Sequence, residues 1–351
     1  MKTVLLFLML AVACASSATA QVRAASMPEW RGAILSSSQR LMLFSLLKTR
    51  PAGSLSTQKL IANRLGLFHR PGDGFVFGKP RLTLGPILEY DENVNGGVPG
   101  DSIVIDQQSF AVNKDTRAKA AFVIGAHTSA TLSMAYDEGS TLDLRFSAAL
   151  RHAPAVDVTR TAVRMSACAN EYLSHWNWLV LCGGYKYDDA RDTNDTEEGR
   201  FGSVGLRRVF ASSFGSHEAT ATLTKDVLSD YDKLSVSASM LSAIQGVGAL
   251  SLSATWGERV AGENTVTRSV SASLVRPILG QSSRVSLGFY ESGGENFFGI
   301  ERRDRTVSFS ISREVREGLW IGIGARNRDS TADVYDENEM TIDASFTGWR
   351  F

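Results

Sequence analysis

The sequence predicts an all-β chain, a transmembrane antiparallel β-barrel of 14 strands (16 on the fuller count) with a short helical amino-terminal extension. Three observations carry that expectation. Apolar and polar residues alternate with period two in runs of about ten residues. The amino terminus has the pattern of an export signal. The last strand stops on Trp349-Arg350-Phe351, an aromatic carboxy terminus.

Met1 to Ala20 reads as a signal peptide, with Lys2, an apolar run from Val4 to Ala13, and the small-residue site Ala18-Thr19-Ala20. The apolar run is too short to cross a bilayer as a helix, and the rest of the chain has no apolar run of roughly 18 residues. Hydrophobic residues make up 43% of the chain and mean hydropathy is -0.07. That average suits a barrel, in which only the lipid-facing half of each strand must be apolar. Bacterial outer-membrane localisation and contact with its lipid are the corresponding expectations. A formal net charge of +0 argues against nucleic acid as a partner.

The segment from residue 21 to 80 differs in character from the rest. Leu41, Met42, Leu43, Phe44, Leu46 and Leu47 precede the break Pro51-Ala52-Gly53. A second piece runs from Ser56 or Thr57 as N-cap through Leu60, Ile61 and Leu65. Both read as short helices. Over 21–72, eight basic residues face Glu29 alone, a net of +7. Two readings stand: a periplasmic extension with a solvated basic face, or a plug folded into the lumen.

From Arg81 to Phe351 the alternation dominates. Leu142, Leu144, Phe146, Ala148 and Leu150 alternate with Thr141, Asp143, Arg145, Ser147 and Ala149. Val307, Phe309 and Ile311 alternate with serines, and Leu319, Ile321, Ile323 and Ala325 with Trp320, Gly322 and Gly324. Connections sort into short turns, such as Asp137–Ser140 and Gln245–Gly246, and longer polar loops, such as Glu92–Gly100 and Asp188–Gly199. Short turns at one end and long loops at the other characterise a membrane barrel. Closure follows from chemistry, because an open sheet edge in hydrocarbon leaves backbone donors and acceptors unpaired. A ring of this size is too wide for side chains to fill, so the Ser/Thr faces predict a wet lumen.

Cys168 and Cys182 share a midpoint at residue 175, so a hairpin centred there sets the sulfurs opposite and predicts a disulfide in an oxidising compartment. The tetrapeptide Tyr-Asp-Glu-Asn occurs at Tyr90–Asn93 and at Tyr335–Asn338, ending the first barrel strand and beginning the last. Tyr90, Asp91, Glu92, Tyr335, Asp336 and Glu337 should therefore meet at the closing seam. They read as interfacial aromatics with turn residues, or as a carboxylate cluster marking a lateral exit or a divalent-cation site. Asp188, Asp189, Asp192, Asp195, Glu197 and Glu198 read as a solvated outer loop. Trp176, Trp178, Trp320 and Trp349 read as interfacial girdle residues.

No H-E-x-x-H or G-x-S-x-G motif occurs, and His127 near Ser129 is the only loose nucleophile–base pairing. The sequence therefore predicts no enzyme, no metal and no cofactor.

Tyr90-Asp91-Glu92-Asn93-Val94-Asn95-Gly96-Gly97 resembles the "YDSNVNN" opening of surface lipoprotein assembly modifier (Slam) barrels. Arg302-Arg303-Asp304-Arg305-Thr306-Val307-Ser308 is similar to their "RRD-x-x-x-S" strand start. Ser330–Phe351, with Val334-Tyr335-Asp336, is similar to their final hairpin. The resemblance implies a 14-strand barrel that moves lipoproteins or secreted partners across the outer membrane; a barrel without the family's periplasmic domain would work with a separate periplasmic helper. The family's helical-repeat domain is absent or reduced to Gln21–Gly72, and the last strand breaks register at Thr347-Gly348. The alternative from the residues alone is a general diffusion porin for small solutes.

Overall fold

The computed structural model describes residues 27–70, 72–98, 100–105, 108–190, 195–297, 300–332 and 335–346. The signal segment, Asp192, Trp349 and the register break at Thr347-Gly348 lie outside the described residues. Three short helices come first: α1 (Glu29–Leu35), α2 (Gln39–Thr49) and α3 (Leu55–Arg64). The strands that follow are β1 (Val76–Phe77), β2 (Arg81–Asp91), β3 (Ser102–Ile105), β4 (Gln108–Ala111), β5 (Ala121–Asp137), β6 (Ser140–Ala153), β7 (Val158–Ser174) and β8 (Asn177–Ala190). They continue as β9 (Asp195–Ala211), β10 (Gly215–Leu228), β11 (Asp232–Ile244), β12 (Gly248–Gly257), β13 (Thr265–Ile278), β14 (Gln281–Phe297), β15 (Ile300–Arg316), β16 (Leu319–Ser330) and β17 (Glu337–Phe346).

The ladder runs from β5 through β17 without a break, and β2 joins its two ends by pairing with both β5 and β17. β2 with β5 to β17 makes a closed antiparallel ring of 14 strands, the lower of the two expected counts. β1 pairs with Ala135 and Met134 on β5, beyond the stretch of β5 that β2 covers, so it prolongs β2 rather than adding a place in the ring. β3 and β4 form a separate hairpin in the long β2–β5 connection.

Register explains the alternation. Met240, Leu252, Ala272, Leu287, Phe309, Ala325 and Met340 stand side by side across seven strands. One residue along, six of these strands place Ser251, Ser273, Ser286, Ser310, Gly324 and Thr341 in a row, and β11 adds Leu241, which packs against Ala33 and Leu41 of the helices. Successive side chains on a strand point to opposite faces, so the first row faces out and the second faces the lumen. An outer surface on which Leu287 is 46% and Met340 71% exposed is built for lipid rather than water.

Several expectations change in detail. The stretch from Ala118 to Tyr136, where the alternation leaves one strand or two open, is dominated by one 17-residue strand, β5. Helix α3 starts at Leu55 with Ser54 at its N-cap, two or three residues ahead of the expected Ser56 or Thr57. The acidic segment is not a plain loop: β8 and β9 run on past the belt, pairing Asp188 with Glu197 and Asp189 with Thr196. Backbone pairing continues there because the hairpin still satisfies its own hydrogen bonds in water.

Cys168 and Cys182 oppose each other across β7 and β8 and are joined by a disulfide. The bridge closes a loop with a sequence separation of 14. Such a loop constrains the unfolded chain by up to ~3 kcal/mol. Replacing both cysteines with serine should lower the thermal unfolding midpoint of the folded barrel without changing its fold, checked by heat-modifiable gel mobility.

Candidate functional site in the lumen

The helices sit across one mouth of the barrel, at the end where the turns are short. Met27 O accepts from Gly246 N at 2.9 Å on the β11–β12 turn, and Gly66 O accepts from Gly139 N at 2.9 Å on the β5–β6 turn. Six strands separate those two turns one way round the ring and eight the other. The segment therefore spans the mouth close to its diameter. Contacts agree: α1 lies on β10 to β13, α2 on β9 to β11, and α3 against β5.

Local chemistry fixes this floor. Gly32 lets α1 approach closely, since a Cβ there would stand 2.8 Å from Gly248 O. Gly139, at φ +67°, turns the β5–β6 connection under the Tyr172 ring, and its carbonyl accepts from Trp178 Nε1 at 3.0 Å. Leu43, Leu46, Ile61, Ala62 and Leu65 bury one another between α2 and α3. Ala33 and Leu41 pack with Trp178, Val209 and Ala243 of the wall.

Polar anchors are embedded in that contact. Glu29 is buried and forms an ion pair with Lys48 Nζ at 2.9 Å. It also accepts from Ser45 Oγ at 3.2 Å and from Ser216 Oγ on β10. Ser38 caps α2, accepting from Leu41 N at 3.2 Å, and donates to Glu218 of β10. From Glu218 the band continues to Arg207 at 3.3 Å, and Arg207 Nη1 donates to Asn170 Oδ1 at 2.8 Å. Asn170 Nδ2 donates to Asp143 Oδ2 at 3.0 Å. Arg40 lies 5.1 Å from the Trp178 ring centroid and donates to Thr141 Oγ1 at 3.3 Å. Burial, and then the neighbouring Arg207 charge, push Arg40 down to about 10, which still leaves it charged at neutral pH.

Above the floor the lumen is two-sided. Arg145 on β6, Arg164 on β7 and Lys186 on β8 face inward, next to Arg151 and Arg160 nearer the loop end. Lys186 pairs with Glu197 at 3.2 Å and Asp226 at 3.6 Å, and Arg151 with Glu89 at 3.2 Å. β13, β14 and β15 stand seven ring positions away, directly opposite. Their inward residues include Ser269, Ser271, Ser273, Ser286, Gly288, Ser308, Ser310 and Ser312, with Arg284 nearer the floor and the Arg302–Asp304 ion pair nearer the loops. A guanidinium-rich wall thus faces a hydroxyl wall, an arrangement suited to hydrated anions and to hydroxylated solutes.

The seam residues divide. Asn93 Nδ2 donates to Glu337 Oε1 at 3.4 Å, which links the two repeats of the tetrapeptide. Glu337 is held by Arg328 at 3.0 Å and Arg326 at 3.4 Å. Tyr90 instead stacks edge-on against Phe122, and the Tyr335 ring lies 3.5 Å from the Arg302 guanidinium. Asp91 accepts from Asn93 N, and Asp336 from Ser330 N. Among the described residues no hydrogen bond or ion pair joins Asp91 or Glu92 to Asp336 or Glu337. No group of three or more His, Cys, Asp or Glu side chains among them is placed to hold a metal ion. Arg326 and Arg328 neutralise Glu337, and Glu339, buried beside it on β17, shares Arg326.

The tryptophans also differ from expectation. Trp178 is fully buried, and Trp176 meets Phe44 of α2 edge-on at 5.1 Å. Trp320 lies beneath Arg284, on the inward side of its strand. Trp176 and Trp178 pack on the floor instead of forming a lipid girdle, because the helices supply an apolar surface that periodicity alone could not show, whereas Trp320 faces the lumen against Arg284. Glu29 was the site residue least visible in the sequence. Its one signal was being the sole acid in a basic segment.

No protein-family model matches the chain, and no curated protein matches it. Among solved structures it is similar to Pseudomonas aeruginosa OpdK with vanillate at 11% identity, covering 78% of this chain and 99% of that one, with a TM-score of 0.39. Acinetobacter baumannii OccAB3 is 8% identical over 78% of this chain and 100% of that one, again at 0.39. A mutant of the Rh. blastica porin is 9% identical over 79% of this chain and 100% of its own, at 0.36. Likeness of this degree is too slight to argue from, and the barrel is established by its own strand pairing.

Proposed function

We propose that the chain is a bacterial outer-membrane β-barrel that passes small solutes, with a helical floor narrowing its periplasmic mouth. The observation that carries this reading is the lumen itself, an arginine and lysine wall opposite a serine wall, inside an apolar exterior. Neither wall is bulky enough to fill a ring of 14 strands. Passage would be non-enzymatic, biased toward small anionic or hydroxylated solutes by the basic wall. Single-channel recording of the refolded full chain in planar bilayers tests it. Steady openings that prefer chloride over potassium are expected; a chain that inserts yet never conducts would sink the proposal.

Translocation of lipoproteins is the second reading, and it rests on the resemblance of the seam motifs to those of Slam barrels. It requires the floor to leave the mouth, since a folded or extended polypeptide needs the width the helices occupy. Surface exposure of a co-expressed lipoprotein, with a periplasmic helper supplied, separates this reading from solute diffusion.

A further inference from the structure

On the outer wall of the barrel, near the long-loop end, a row of apolar residues gives way to charge. Ala254, Val270, Phe289 and Val307 lie side by side and face out. The next outward positions toward the loops on the same strands are Trp256, Arg268, Glu291 and Arg305, again side by side. Arg303 is the following outward residue on β15, and Arg259 reaches in from the β12–β13 loop. Together they line a recess of about 430 Å³.

The charges in this recess do not cancel. Glu301 pairs with Arg259 and with Arg303, the latter at 3.3 Å, and Glu291 pairs with Arg305 at 3.4 Å. Arg268 is exposed and makes no ion pair among the described residues. Asp329 stands beside Arg305 on β16, so four guanidiniums meet three carboxylates and the recess keeps a positive excess, with Arg268 the guanidinium outside any pair among the described residues. Arg303 and Arg305 are 47% and 60% exposed, so their donors stay available.

Arginine on the lipid side of a barrel is unfavourable unless it lies at headgroup depth, and Trp256 marks that depth as an interfacial ring. The guanidinium fork matches phosphate oxygens in a bidentate manner. We propose that this recess binds the phosphorylated glycolipid of the outer leaflet, with Arg268 and Arg305 taking a phosphate and Trp256 lying along its sugar or acyl stem. The proposal rests on the outer-membrane reading given above.

The test uses the full chain in phosphatidylcholine nanodiscs, probed by native mass spectrometry with bisphosphorylated lipid A, dephosphorylated lipid A and phosphatidylglycerol. Lipid A should be retained preferentially, and the double variant Arg268→Gln/Arg305→Gln should retain it at least about tenfold less. Arg276→Gln, on the same outer face of β13 near the opposite end, should leave retention unchanged. Equal retention of lipid A with and without phosphate would overturn the site, as would equal retention of phosphatidylglycerol or an equal loss in Arg276→Gln. A chain that inserts and conducts but shows no preference refutes this site alone. A chain that fails to enter the bilayer refutes the membrane reading with it.

Discussion

Replacing Glu29 with alanine should open the short-turn mouth of the barrel. The carboxylate is buried and accepts from Ser45, Ser216 and Lys48 at once. Its loss leaves two hydroxyls and an ammonium without their shared acceptor at the point where α1, α2 and β10 meet. Lys48 is 35% exposed and can turn to water, so the effect should fall below that of breaking a fully buried pair. About 2–3 kcal/mol of docking free energy is the expected loss. The open population should then rise by roughly one to two orders of magnitude. Single-channel traces should show more frequent large-amplitude openings, and amides of α2 should exchange faster. Gly32→Val should act in the same direction by steric means, because its side chain would meet the Gly248 carbonyl. Lys59→Gln, on an exposed position of α3, is the control. Unchanged conductance in both active variants would mean that the helices are not the constriction.

Reversing the basic wall should reverse the ion preference. Arg145 and Arg164 project into the lumen from neighbouring strands, and no salt bridge is formed by either among the described residues. The double variant Arg145→Glu/Arg164→Glu changes the local charge by four units while leaving the outer face untouched. A charge 4 Å from a passing ion is worth about 1 kcal/mol even at the dielectric of water, and more in a confined lumen. Under a potassium chloride gradient the reversal potential should therefore change sign, from chloride-favouring to potassium-favouring. A reversal potential that does not move would show that solutes avoid this wall. Raising ionic strength should shrink the difference between the two proteins, since lumenal charges in water are screened.

The barrel was legible because its requirement is repetitive. Lipid demands an apolar residue at every second position, and a wet lumen tolerates serine between them. Residues such as Val307 to Ser312 therefore announce both faces of a strand without reference to any neighbour. Strand length follows from membrane thickness, and the opposition of Cys168 and Cys182 follows from counting back from a turn. The seam was legible only in part. Counting strands places Tyr90–Asn93 beside Tyr335–Asn338, but the β2–β17 register sets Glu89 opposite Asp343, so Tyr90 meets Phe122 on β5 while Glu337 goes to Arg326 and Arg328.

By itself, then, the sequence determined the closed barrel, its 14-fold count as one of two options, the direction of its apolar face and a helical segment ahead of it. Only the tertiary structure decided where that segment lies, that Glu29 and Ser38 anchor it to β10, and that Trp176 and Trp178 receive it. It also decided that arginines and serines face each other across the lumen. The reason is physical. Alternation is a local response to one uniform solvent, whereas docking depends on which of many distant wall residues curve around to meet a helix, and closure of the ring alone sets that.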